Sequence, residues 1–352
     1  MRLGLSIGYL TGGDGTVAGA AADALALTLR AEELGFDSAW VAEAYGSDAP
    51  SVLGWLAAQT TRIGLGAAVM QVPGRSAAAT AMTAATLDGL SGGRFRLGLG
   101  VSGPQVAEGW HGQRFDKPLA RTREYVDVVR LALARRPLQY AGDHLQLPLP
   151  DGPGVPLRLM LPTPRPDLPV YLAAVGPKNT ALAGEIADGW LPVFFSPEHS
   201  GEQLAQLAAG RERRVPREGA PEFDVVPTVP FLLTDATGEE RLQAEAAVRG
   251  YAALYLGGMG SREQNFYARL AGRLGFDAEV EQVQDLYLAR RHREAAAAVP
   301  RGFLDATCLV GSAAEVRSRM ADYAAAGVTT LSVMPMGATA QERRDSLRAL
   351  TD

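Results

Sequence analysis

An α/β barrel of eight strand–helix repeats, a (β/α)8 or TIM barrel with insertions, is the fold class this chain predicts, on three observations. Segments of strand character alternate with segments of helical periodicity from one end to the other. Their near-even spacing favours a closed barrel over an open doubly wound sheet. The length, 352 residues, fits one such barrel with insertions, and 40 glycines suit its repeated tight turns.

Leu3, Leu5 and Ile7 begin the first strand, and an alanine- and leucine-rich helix comes next, ending near Gly35. Ser38–Ala42, Ile63–Met70 and Arg94–Val101 are the next strands, with helices at about Pro50–Thr60 and Ser76–Leu90 between them. Asp116-Lys117-Pro118 predicts the cap and first turn of a helix whose Tyr125, Val128, Val129, Ala132 and Leu133 recur at helical spacing. A Pro/Gly-rich excursion over about 137–166 carries a hairpin tip at Tyr140–His144. Strands Val170–Val175, Gly189–Phe195 and Asp224–Thr234 come next, with helices at Thr180–Ala187 and roughly Glu198–Arg213. Thr237 and Glu240 have capping-box spacing ahead of a helical insertion over about 238–300. Ser312 and Glu315 cap the last large helix, Gly327 ends it, and Thr329–Met334 is the eighth strand. No linker divides the chain, so 1–352 reads as one domain.

Composition narrows the function. The hydrophobic fraction of 47% supports a large core, and a net charge of −5 with no basic block argues against nucleic acid and anionic membranes. Lone Cys308 excludes an internal disulfide, and the histidines (His111, His144, His199, His292) share no metal-ligand spacing, so no metal is expected. The apolar N-terminal run is too short for a signal sequence, and no run approaches a membrane span. A soluble, cytoplasmic protein is the expectation.

Barrel enzymes build their sites from loops at the strands' C-terminal ends, so the residues just beyond each strand are informative. The clearest signal is Val175-Gly176-Pro177-Lys178-Asn179: a glycine, then proline at a helix start, whose free N–H groups and dipole end face an incoming phosphate. Lys178 adds a charge and Asn179 a donor; the bland alternative is a plain turn. Glu43 either orients a cofactor or lies solvated at the rim. Glu108 and His111 are spaced to meet on one helical turn, for acid–base work or as a solvated pair. Trp110 reads as packing, Gly257-Gly258-Met259-Gly260 as a flexible loop, and Gly98 and Gly100 as close packing within a strand.

Long strings carry a resemblance: LGFDSAWVAEAYGSDA (34–49), LDGLSGGRFRLGLGVSGPQVAEGWHG (87–112), FDKPLARTREYV (115–126), VYLAAVGPKNTALAGEIADGWLP (170–192), YLGGMGSREQNFY (255–267) and VQDLYLARRHREAAAAVP (283–300). Over nearly its whole length the chain resembles the bacterial luciferase-like monooxygenase superfamily, in its actinobacterial branch of oxidoreductases dependent on coenzyme F420. The resemblance implies a homodimer and a deazaflavin ring at the C-terminal mouth, against a backbone bulge with a cis peptide at Ala68–Val69. It implies cofactor contacts from Glu43, Gln71, Val101 and Ser102, and a phosphate turn made by Val175, Gly176, Lys178 and Asn179. One departure stands out: Ala44 occupies the place of the catalytic histidine of the superfamily's sugar-phosphate dehydrogenases, which argues against that mechanism here.

The expectation is hydride transfer between coenzyme F420 and a small organic substrate, with Glu108, His111 or Tyr45 assisting as acid or base. An FMN-dependent monooxygenase of the same fold is the rival, and a non-catalytic cofactor-binding relative is the reading from another class. The excursion at 137–166 and the segment around 255–270 are expected to form the pocket wall.

Overall fold

The computed structural model describes residues 1–10, 15–161 and 165–351, so part of the excursion, 162–164, lies outside the described residues. Residue contacts divide the chain into two compact units. One comprises Met1–Asp37, Pro192–Leu204 and Val225–Asp352; the other comprises Ser38–Leu191 and Ala205–Asp224.

Within the second unit, parallel strands lie in the order Gly189–Leu191, Val170–Ala173, Phe95–Gly100, Gly64–Ala67, Ser38–Val41. These strands are almost wholly buried, as a parallel sheet covered on both faces requires. The run expected at Ile63–Met70 is interrupted. A cis peptide joins Ala68 to Val69, and the chain resumes as Met70–Gln71, pairing Met70 with Leu99 and Gln71 with Gly100. Two glycines in Phe95–Gly100 permit this approach. A Cβ on Gly98 would overlap the Ala67 carbonyl oxygen, and one on Gly100 would lie 2.5 Å from Val69 Cγ2. Close packing, as the sequence predicts, is their role.

The excursion forms an antiparallel hairpin, Tyr140–Ala141 with Gln146–Leu147. Its tip is held by the buried carboxylate of Glu124, which accepts the N–H groups of Asp143, His144 and Leu145 at 3.0, 2.9 and 2.8 Å. Burial opposes ionisation of Glu124, but these donors prevail and hold its pKa below the ordinary value.

The first unit carries the parallel strands Arg2–Gly8, Thr330–Pro335, Thr228–Leu233 and Leu309–Gly311, in that order. The last was not predicted: a three-residue run between helices has too little pattern to register. Ser312 and Glu315 form the expected capping box on helix Ala313–Ala325, with Gly327 just beyond in the left-handed region. The insertion is helical, from Gly238–Ala244 through Ala246–Ala253, Phe266–Arg273 and Asp277–Leu288 to His292–Ala298.

Several local expectations fail. Thr237 makes no side-chain cap bond, so its capping box is absent. The cap of helix Pro118–Leu133 is Lys117 in a left-handed conformation, because the chain turns one residue later than Asp116. Leu254–Gly258 is a π-helical turn rather than a loop, for the glycines admit the Tyr287 side chain against the backbone. Among the described residues, no helix is long and apolar enough to cross a membrane, and no group of His, Cys, Asp and Glu could hold a metal.

Gly98→Ala is expected to cost about 3 kcal/mol or more in urea unfolding, because the obstacle is backbone. Gly89→Ala, whose Cβ meets nothing within 4 Å, is expected to be neutral or stabilising by up to about 1 kcal/mol. The depressed pKa of Glu124 makes its contribution to stability present above its ordinary 4.5 and lost as pH falls through the folded value. The gap in unfolding free energy between wild type and Glu124→Gln is therefore widest near neutrality and narrows below that pH, read by denaturation at a series of pH values.

Candidate functional site

At the end of strand Ser38–Val41 the chain delivers Glu43, whose side chain is only 8% exposed. Its carboxylate receives Arg75 Nη1 at 2.5 Å and Nη2 at 3.0 Å. The Ala49 N–H at 3.0 Å and the Gln71 N–H at 3.3 Å also donate to it. Arg75 pairs in addition with Asp48, which caps helix Ala49–Gln59 by accepting the Ser51 N–H at 2.8 Å. Burial works against the Arg75 charge, but Glu43 and Asp48 outweigh it and raise its pKa. The Arg75 carbonyl accepts from the Tyr125 hydroxyl at 3.1 Å, and burial pushes that phenol up to about 12. One arginine thus clamps the loops beyond two neighbouring strands.

Beside the clamp lies a relay of hydrogen-bonded side chains. Gln71 is 3% exposed; its Nε2 donates to Ser102 Oγ at 2.8 Å, and its Oε1 lies 2.8 Å from His111 Nε2. Ser102 has φ +61°, a left-handed conformation, and its hydroxyl oxygen takes the Gln71 donor. Since an amide oxygen only accepts, His111 Nε2 must carry a proton in this arrangement, so proton exchange with a ligand falls to Nδ1.

The third part is the start of helix Pro177–Ile186. Gly176 is its N-cap, with no side-chain cap bond and proline in the first turn. The first amides of a helix have no partner within it, and a Cβ on Gly176 would meet nothing within 4 Å, so the space above is open. Lys178 is exposed and makes no ion pair among the described residues. Asn179 instead donates back to the Ala173 carbonyl at 3.4 Å. The residues present therefore fit the phosphate tail of a cofactor, through backbone N–H groups and Lys178. Ala68, Val69, Val101 and Val175 are half-buried at strand ends where the neighbouring strand positions are closed.

Of the residues proposed from sequence for acid–base work, only His111 joins this network. Glu108 is exposed and accepts the Phe115 N–H at 3.1 Å, while His111 lies past the end of helix Pro104–Gly109, so the two have separate partners. Tyr45 is 56% exposed. Sequence reasoning missed Arg75, Asp48 and Tyr125. Arg75 was visible at a strand end, but no spacing rule pairs it with an acid 32 positions earlier.

The luciferase-like monooxygenase family model matches residues 1–330. A Mycobacterium tuberculosis protein, named provisionally as a coenzyme F420-dependent oxidoreductase, is 44% identical over 348 residues, covering 97% of each chain. The coenzyme F420-dependent tetrahydromethanopterin reductase of Methanopyrus kandleri superposes with a TM-score of 0.80 at 23% identity, covering 100% of this chain and 97% of that one. An F420-dependent secondary alcohol dehydrogenase in complex with an F420–acetone adduct gives 0.75 at 18% identity, with 100% and 99% covered. These likenesses show the fold to be the luciferase-like (β/α)8 barrel. The chain belongs to the luciferase-like monooxygenase family.

Arg75→Leu strands the Glu43 carboxylate out of water and is expected to cost about 3 kcal/mol in urea unfolding. Adding Glu43→Gln to that variant should recover part of the loss, because the orphaned charge is then removed.

Proposed function

We propose that this luciferase-like family member is an oxidoreductase that binds coenzyme F420 and transfers a hydride between the deazaflavin and a small organic substrate. The observation that carries the reading is the open helix start at Gly176, uncapped by any side chain and flanked by exposed Lys178. It suits a phosphate-bearing redox cofactor. The full-length likeness to a mycobacterial protein whose name carries F420 supports that carrier over FMN.

When bound, the deazaflavin supplies or accepts a hydride at ring carbon 5. Gly176, Lys178 and the first helical amides would hold the phosphate, and Ala68, Val69, Val101 and Val175 would face the ring. Glu43 serves the site as the anchor of Arg75, since its oxygens are taken by the guanidinium and by backbone N–H groups. Reduction of a carbonyl at carbon requires a proton at oxygen, and oxidation of an alcohol requires its removal. We assign that proton to His111 Nδ1, which takes it from an alcohol and, once the ring carries it, gives it to a carbonyl oxygen. Gln71 and Ser102 hold its ring and tautomer, so that the imidazole is oriented before substrate arrives. Glu108 and Tyr45 remain at the exposed rim.

Equilibrium titration of the purified chain with F420 and with FMN, then turnover assays over alcohols, ketones, imines and activated alkenes, tests the reading. Preferential F420 binding with turnover is expected. Preference for FMN with oxygen uptake overturns the carrier, and tight F420 binding without turnover of any substrate overturns the catalytic role. Gln71→Leu frees the His111 ring, and is expected to lower kcat by about 100-fold while leaving F420 affinity within a few-fold. Loss of F420 binding in that variant would place Gln71 with the cofactor instead.

A further inference from the structure

The first unit holds a group of aromatic side chains that the cofactor reading does not use. Tyr251, on helix Ala246–Ala253, and Tyr255, in the π-turn Leu254–Gly258, have ring centroids 4.7 Å apart. Tyr267, in the first turn of Phe266–Arg273, meets Tyr255 edge to face at 4.8 Å. Phe194, 1% exposed and left-handed at φ +50°, lies edge-on to Tyr255 at 5.6 Å and is backed by fully buried Phe303 at 5.1 Å. The phenylalanines are closed off, whereas the three tyrosines keep part of their surface open.

This arrangement is built. A π-turn is a rare interruption, found most often at functional sites, and it frees carbonyls that a continuous α-helix would bond. Asn265, 1% exposed, takes them: its Nδ2 donates to the Tyr255 and Leu256 carbonyls, both at 2.9 Å. Its Oδ1 accepts the Tyr267 and Ala268 N–H groups at 2.9 and 3.0 Å, capping the next helix. A single buried amide therefore fixes the backbone under both Tyr255 and Tyr267. Gly260 permits the fold-back, because a Cβ there would lie 2.9 Å from Asn265 Cα.

The chemistry of the cluster is narrow. Among the described residues, the groups that act most strongly on the three phenols are other phenols, Tyr9 among them, and the buried Cys308 thiol, none of them charged at neutral pH. Burial holds all three hydroxyls protonated, with Tyr267 pushed up to about 12. The Tyr267 hydroxyl has no hydrogen-bond partner among the described residues. Aromatic edges and faces select a flat apolar ring. A phenol donor selects an acceptor oxygen, and the lack of counter-charge penalises an ion.

We propose that Tyr251, Tyr255 and Tyr267, braced by Asn265, form a binding site for a small uncharged ring compound bearing a carbonyl oxygen, with Tyr267 as the hydrogen-bond donor. The site lies wholly within one unit and its test is binding alone, so it does not rest on the cofactor assignment. A ring carbonyl is also a compound class that a hydride carrier reduces.

Ligand-observed NMR titration of the full chain without cofactor, using acetophenone, ethylbenzene and benzoate, tests the proposal. Acetophenone is expected to bind tightest and benzoate weakest. Tyr267→Phe, which deletes only the hydroxyl, is expected to weaken acetophenone by about tenfold and to leave ethylbenzene within about twofold. Tyr251→Phe, of unchanged ring shape, is expected to weaken acetophenone by less than Tyr267→Phe does. No saturable acetophenone binding, equal affinity for acetophenone and ethylbenzene, tighter binding of benzoate, or a Tyr267→Phe protein that binds acetophenone as wild type each overturns the proposal.

Discussion

A carboxylate removed from water has to be matched, and Glu43 is matched by Arg75 at both of its oxygens. The geometry of the second unit's site depends on this pair. Because Glu43 also accepts the Gln71 N–H, the ion pair fixes the backbone from which the Gln71 side chain departs toward Ser102 and His111. The same arginine takes Asp48, the cap of helix Ala49–Gln59, and offers its carbonyl to Tyr125. Two strand ends, one helix start and one distant phenol are therefore held in register by one arginine, whose planar fork takes both carboxylates while its backbone carbonyl takes the phenol.

Ion pairing and hydrogen bonding are kept apart in that site. The clamp is ionic and closed upon itself. The relay beside it is made of side-chain hydrogen bonds in which each member has a partner, so their directions are fixed. At Gly176 the opposite holds: the helix start is left uncapped and open. The first arrangement stores orientation; the second leaves capacity for a ligand.

Each unit places a buried primary amide just after irregular backbone. Gln71 comes just after the interruption at Ala68–Val69, and Asn265 after the π-turn at Leu254–Gly258. An amide carries donors at one end and an acceptor at the other, so it can fix two groups of opposite kind at once. Asn265 spends its donors and acceptor on backbone and so positions two tyrosines, whereas Gln71 spends its own on side chains and so positions an imidazole.

What the sequence determined is what local chemistry encodes. Strand–helix alternation gave the barrel, Gly176-Pro177 gave a helix start, Ser312 and Glu315 gave a capping box, and the long family strings pointed to the cis bond at Ala68–Val69. Each is written within a few consecutive residues or within strings recognisable whole. The tertiary structure alone decided who meets whom. Gln71 and His111 are 40 positions apart, and Glu43 and Arg75 32, so their bonds depend on how strands stack and not on any periodicity. Glu108 and His111, close in sequence, were separated because the helix ends between them. The turn at Leu254–Gly258 looked like a loop because its glycines serve the approach of Tyr287, a contact that exists only after the helices have packed.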